Sequence, residues 1–276
     1  MFLTLFQITD TPHILSGDSL IIFDPHERLE SFKEGGVRIP IAMFGSVEDQ
    51  IRAFQAVNAD LTSPFRGTAI RLPLRTPEDA QWSQIKPGVS TSVQQISDLF
   101  AQFVQQELRT VLLFLKHITS IELQLVNEED ELTVIGKAWI DGPGGVDEHR
   151  CFSLHSNCSP PRHALSIAFQ DGSSEMESHE WFIHHTLAPQ DEAVRYLETK
   201  YQGPIQAQLA EDKLYSHIVV AAPFDSKKIN GQLFTLLPLP VYTGFPLHVN
   251  GIFALTSDRQ NLRKNDPGVV ADSPDR

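Results

Sequence analysis

Along most of this chain apolar and polar positions alternate with a period of two, the signature of half-buried strands. One stretch departs clearly from it. Ile96, Leu99, Phe100, Phe103, Val104 and Leu108 fall near i, i+3, i+4, i+7 and i+8, which predicts a helix with one buried stripe. Gln94, Gln95, Asp98 and Gln105 occupy its polar face, and either Thr91 with Gln94 or Ser92 with Gln95 can cap its start. Before it, SLIIFDP (residues 19–25) and VRIPI (37–41) read as short strands. GTAIRLPLR (67–75) reads as a half-buried strand that Pro73 confines to an edge or an end. Between the last two, Ser46 with Asp49 resembles an N-cap. Ile51, Phe54 and Val57 then predict a short amphipathic helix.

Pro77, Pro87 and Gly88 punctuate residues 76–88, which read as a linker and a domain boundary. After the long helix the period returns to two. Ile121, Leu123 and Leu125 lead into the polar turn NEEDE, and LTVIGKAWI returns as the second arm of a hairpin. Further strand-like runs are HALSIAF, EWFIHHTL, HIVVAAPF and QLFTLLPL. A polar helix is predicted at residues 191–202 and a frayed tail after Lys264. A short hairpin is marginal alone, so the 96–108 stripe should cover a sheet containing residues 121–125 and 232–237. Pro238 and Pro240 should end the strand they follow, with Asn250-Gly251 at a turn or bulge.

Composition narrows the function classes. Of the 276 residues 41% are hydrophobic, enough for a core, and 22 Lys plus Arg against 35 Asp plus Glu give a charge of −13. That balance disfavours binding to a phosphate backbone or an anionic membrane, so no nucleic-acid or membrane partner is expected. No apolar run approaches the ~20 residues of a membrane span. The first basic residue is Arg28, so no secretory leader is expected, and two cysteines suit a reducing, cytoplasmic setting.

Candidate chemistry is sparse. Cys151, His155, Cys158 and His163 lie close enough to suggest a tetrahedral zinc site, yet the spacing is not C-x2-C. A small buried thiol with surface histidines on a loop is the preferred reading of the same residues. His184 and His185 are adjacent on a predicted strand and point to opposite faces, so they do not serve one site. There is no G-x-S-x-G elbow, Walker A loop or G-x-G-x-x-G turn. Asp10 and Asp24 sit where Asp caps local turns.

Four stretches say more: FQITDTPHILSGDSLIIFDPH (6–26), RGTAIRLPLRT (66–76), LLFLKHITSIEL (112–123) and GQLFTLLPLPVYTGFPLHVNGIFALTSDRQNL (231–262). In this order they resemble the sacsin repeat, which opens with an ATPase-like domain of the heat shock protein 90 type. The resemblance runs from about Phe6 to Leu262 and implies an α+β chain. Residues 1–85 would be the C-terminal part of an α/β sandwich, 86–264 a larger α+β domain with a mainly antiparallel or mixed sheet, and 265–276 a disordered tail. In that superfamily the early helix with its carboxylate and asparagine, the Asp-x-Gly loop and the glycine-rich lid precede the stretch matched by residues 6–26. Here that stretch starts almost at Met1, which implies an N-terminally truncated repeat.

Of the nucleotide contacts only Gly67 and Thr68 carry over, as residual adenine-pocket positions. ATP and magnesium are expected only with an upstream half. Without its first helices the sheet would leave Ile70, Leu72, Ile21 and Ile22 toward water. The resemblance implies a non-enzymatic chaperone or co-chaperone module binding protein clients or chaperone partners. The alternative is the C-terminal piece of a complete ATP-hydrolysing repeat, with Arg259 reaching the terminal phosphate and Arg263 and Lys264 behind it.

Overall fold

The computed structural model describes residues 2–28, 35–57, 62–127, 131–141, 162–172, 174–187, 217–225, 229–253, 255 and 262. The chain is α+β and divides into two compact units, Met1–Leu99 and Phe100–Arg276. The division falls inside the long helix rather than in the proline-punctuated stretch before it.

In the first unit β1 (His13–Gly17), β2 (Ser19–Phe23), β3 (Gly36–Pro40) and β4 (Phe65–Arg71) form an antiparallel sheet in the order β3-β2-β1-β4. Alternation sends Leu15, Leu20, Ile22 and Ile39 to one face. There they pack with Phe44, Ile51 and Phe54 of the segment that follows β3. Ile22 is therefore buried, contrary to expectation, because its neighbour Ile21 takes the opposite face. On that opposite face Ile21 and Ile70 flank Ile14 in register, and Ile70 is 48% exposed.

The segment after β3 is less helical than its apolar spacing suggests. Only α1 (Glu48–Ile51) is α-helical, between two 3₁₀ stretches. Ser46 does not cap it; its hydroxyl donates to Met43 O at 2.6 Å, within its own turn. Residues 76–88 are not a plain linker either. Thr76 caps α2 (Pro77–Trp82) in a reciprocal capping box with Asp79, and Pro77 stands at the first helical position.

This stretch is tied to the start of the chain by Arg75, whose side chain is fully buried. Its Nε and Nη2 donate to Asp10 Oδ1 at 3.0 and 2.7 Å. Its remaining donors reach the carbonyls of Phe6, Gln7, Thr9 and Val89. Ser83 Oγ also donates to Asp10 Oδ1, at 3.0 Å. A guanidinium has the five fixed donors that such a ring of carbonyls requires.

Among the described residues of the second unit eight strands form one mixed sheet. They are β5 (Ser120–Val126), β6 (Leu132–Asp141), β7 (Arg162–Asp171), β8 (Glu177–Leu187), β9 (His217–Pro223), β10 (Gln232–Thr235), β11 (Leu237–Tyr242) and β12 (His248–Asn250). Their order is β11-β10-β12-β9-β8-β7-β6-β5; β10 and β12 run parallel and every other pair antiparallel. β5 and β10 thus share a sheet, as the burial argument requires.

The long helix α3 (Val93–Gln106) begins with the Ser92–Gln95 capping box. Only the C-terminal part of its stripe enters the core. Val104 and Leu108 are buried with Val111, Leu112 and Phe114, whereas Leu99 is 56% exposed. The close approach requires a glycine: a Cβ on Gly136 of β6 would sit 2.7 Å from Val104 Cγ2. The LPLP run does not end a strand; it forms β11. A strand at the end of the sheet leaves half of its N–H groups outside any ladder, which is why Pro238 and Pro240 are tolerated.

Candidate functional site

The 231–250 segment is folded by its own small and polar residues. Gly231 N donates to Phe245 O at 3.0 Å, and Thr243 N returns a bond to Gly231 O at 2.8 Å. A Cβ on Gly231 would collide with the carbonyl oxygens of Phe245 and Leu247, so no other residue fits. The Thr243 hydroxyl bonds within the same turn to Phe245 and Leu247, and Gly244 takes φ +75°. His248 Nδ1 accepts from Gln232 N at 3.1 Å, a role only an unprotonated nitrogen can fill. Burial against Trp181 and Phe234 pushes its pKa down to about 4. Asn250 Oδ1 accepts from Leu236 N at 2.7 Å. That bond holds Leu236 at φ +71°, a backbone region that costs a non-glycine residue ~1–2 kcal/mol.

These devices set one wall of a groove of about 660 Å³ in the second unit. Leu236, Leu237 and Leu239 line it together with Leu113, Phe114, Leu115, Ile252 and Phe253. Phe114 meets Phe234 edge to face, with ring centroids 4.9 Å apart. His185 and His217 enter the groove from neighbouring strands, with Nδ1 of the first 3.2 Å from Nε2 of the second and their rings stacked. Desolvation, helped by the charge of Lys116, lowers the pKa of His217. The described lining contains no carboxylate, cysteine or serine, and Lys116 is its one formally charged residue. Such a surface can bind apolar matter.

Of the residues singled out by sequence, Gly67 and Thr68 belong to the first unit. Gly67 and Thr68 lie exposed on β4 at the bulge opposite Ser16 and Gly17. Gly67 takes φ +151°, and the Ser16 hydroxyl reaches Gly67 O at 3.0 Å and Thr68 Oγ1 at 3.2 Å. Two hydroxyls and a carbonyl do not by themselves fit a triphosphate with its magnesium, so no step through a nucleotide is derived. Cys151, His155 and Cys158 lie outside the described residues, as does the side chain of His163, whose backbone is in β7. Arg259, Arg263 and Lys264, and the predicted 191–202 helix, also lie outside them. Among the described residues no three His, Cys, Asp or Glu side chains gather as a metal site, and no helix is long and apolar enough to cross a membrane.

His185 belongs to the groove, while His184 projects from the other face of β8, as strand alternation requires. What sequence reading missed is the groove itself. The signal available was the apolar QLFTLLPL run after Gly231, read as strand material rather than as a wall.

Two comparisons place the chain. The model of the Sacsin domain matches residues 2–134. Sacsin from Homo sapiens is 30% identical over 301 residues, an alignment that covers 95% of this chain and 6% of that protein. The chain therefore spans a small fraction of the length of the curated relative it matches.

Proposed function

We propose that this chain, which carries a sacsin-type repeat, acts as a chaperone or co-chaperone module that binds protein clients without catalysing a reaction. The observation that carries the reading is the apolar groove lined by Leu113–Leu115 and Leu236–Leu239. An unfolded client exposes Leu, Ile and Phe side chains, and each one removed from water is worth ~1.5–3 kcal/mol. Two or three insertions give useful transient affinity once the cost of association is met. The groove asks for side-chain volume rather than a sequence, which suits a module with many clients. A cytoplasmic setting accords with this reading.

The test is suppression of aggregation of a thermally unfolding client by the purified chain. Protection is expected near a 1:1 ratio, and absence of protection even at tenfold excess contradicts the proposal. A calorimetric titration with ATP and magnesium belongs beside it. Heat from specific, magnesium-dependent binding would favour the ATP-hydrolysing alternative.

A further inference from the structure

The chain contains two Asn-Gly pairs, Asn230-Gly231 and Asn250-Gly251, and both lie in the segment that scaffolds the groove. Asn-Gly is the dipeptide most open to intramolecular imide closure. The glycine nitrogen attacks the asparagine Cγ, and the lack of a Cβ leaves that approach unhindered. Closure needs a glycine N–H that can lose its proton and a backbone that can rotate toward the side chain.

The two pairs meet these conditions to different degrees. Asn250 is 9% exposed, its Oδ1 accepts from Leu236 N, and Gly251 N donates to Phe234 O at 3.0 Å. β12, which ends at Asn250, lies between β10 and β9. Asn230 is exposed and stands just before β10. Its glycine is restrained by the turn: Gly231 N donates to Phe245 O at 3.0 Å, and Gly231 O accepts from Thr243 N at 2.8 Å. That turn lies at the surface, with Gly244, Phe245 and Pro246 exposed. A local opening of the turn frees the Gly231 amide, whereas freeing Gly251 requires parting it from buried Phe234 in β10.

We infer that Asn230 is a site of spontaneous deamidation, gated by the Gly231 N–H bond to Phe245 O. On opening, the Gly231 nitrogen gives its proton to hydroxide and attacks Cγ of Asn230. The N–Cγ bond forms, the Cγ–Nδ2 bond breaks, and ammonia leaves with a proton taken from water. Water then opens the five-membered imide at either carbonyl and gives aspartate or isoaspartate, with no change of oxidation state.

Isoaspartate routes the main chain through Cβ and lengthens it by one atom at residue 230. Gly231 has no room to absorb the change, because even a Cβ there would meet the carbonyl oxygens of Phe245 and Leu247. The modified chain therefore loses the paired bonds to Phe245 and Thr243, and with them the Gln232 N bond to His248 Nδ1. A transient opening becomes a permanent loosening of the segment. The inference goes beyond client capture and does not rest on it.

The experiment is peptide mapping by mass spectrometry of the full chain aged at 37 °C and pH 8, with isoaspartate separated from aspartate by chromatography. In urea the two pairs should react at rates within about twofold of each other, since both place glycine after asparagine. In the native chain Asn230 should react at least about tenfold faster than Asn250, because its gate opens locally. Thr243→Val removes the hydroxyl bonds to Phe245 and Leu247 and should raise the Asn230 rate about threefold or more, with Asn250 unchanged. Amide hydrogen exchange over residues 231–247 should quicken in the aged chain, but not in aged Asn230→Ser or in fresh Asn230→Asp. Equal native rates at the two pairs, an unreacted Asn230 when the urea sample is exhausted, an unaltered rate in folded Thr243→Val, or unchanged exchange in the aged chain would each overturn the assignment. The wild-type comparison decides the matter whether or not Thr243→Val folds. No client protein is present, so the outcome is independent of the aggregation assay.

Discussion

Arg75→Met is the perturbation whose outcome follows most directly from the geometry. The side chain is fully buried and spreads six contacts over Asp10 and the carbonyls of Phe6, Gln7, Thr9 and Val89. Methionine fills similar space but leaves the Asp10 carboxylate with only Ser83 Oγ among these partners, and strands the carbonyls. Breaking one side of a buried ion pair costs ~3–5 kcal/mol, a large share of the ~5–15 kcal/mol that holds an ordinary domain together. Arg75→Lys keeps the charge but offers three donors on a single nitrogen, so its loss should be intermediate.

Because a chain of two compact units need not unfold in one transition, hydrogen exchange is the suitable assay. Peptides covering β1, β2 and β4 should lose protection in Arg75→Met, while those covering β7 to β9 should not. A double-mutant cycle with Asp10→Asn should show coupling of ~1–3 kcal/mol, since the second change removes the charge left unpaired by the first. Arg75→Met within ~0.5 kcal/mol of wild type, or strictly additive losses, would refute the reasoning.

Gly231→Ala should destabilise the β10–β12 region by ~1–3 kcal/mol or more in urea titration, while Gly45→Ala, where a Cβ meets nothing within 4 Å, should lie within ~0.5 kcal/mol of wild type. Acid should weaken both units. Burial, and for His13 the nearby Arg71 charge, hold the pKa of His13 and of His248 at about 4, below the ordinary 6.5. The unfolded chain therefore binds more protons between those values. Stability is fully present above pH 6.5 and falls as pH drops toward 4, by up to ~3 kcal/mol per histidine. His248→Gln should flatten that slope for the second unit in urea titrations at pH 7, 6 and 5. Leu236→Asn should raise the melting temperature of the second unit slightly, because Asn tolerates φ +71° better than Leu; a fall of several degrees would contradict the strain argument.

Strand alternation made β2, β3, β7, β8 and β9 legible to within about three residues, whereas β1 was not read as a strand although Ile14 and Leu15 are buried. Elements set by single polar contacts were harder to read. The Thr76–Pro77–Asp79 cap of α2 was present in the sequence, but Pro77 suggested a break when it was in fact a start. LPLP suggested a strand end because proline withholds a donor, and only the sheet order reveals that β11 needs no second neighbour. Arg75 and Asp10 are 65 residues apart, and no local rule pairs them. The groove depends on the meeting of residues 113–116 with 235–239, a tertiary event that periodicity does not encode. The 231–262 stretch that carries the family resemblance proves to scaffold part of the groove, through Gly231, Thr243, His248 and Asn250.

The central claim is that the groove is where clients bind, and hydrogen exchange with and without an unfolded client tests it most directly. Protection is expected in peptides covering residues 113–116 and 233–242 on adding a reduced, unfolded client. Ile252→Asp, at a 60% exposed position on the groove wall, should abolish that protection without unfolding the unit. Client-dependent protection that leaves these segments unchanged, or that persists in Ile252→Asp, would contradict the account.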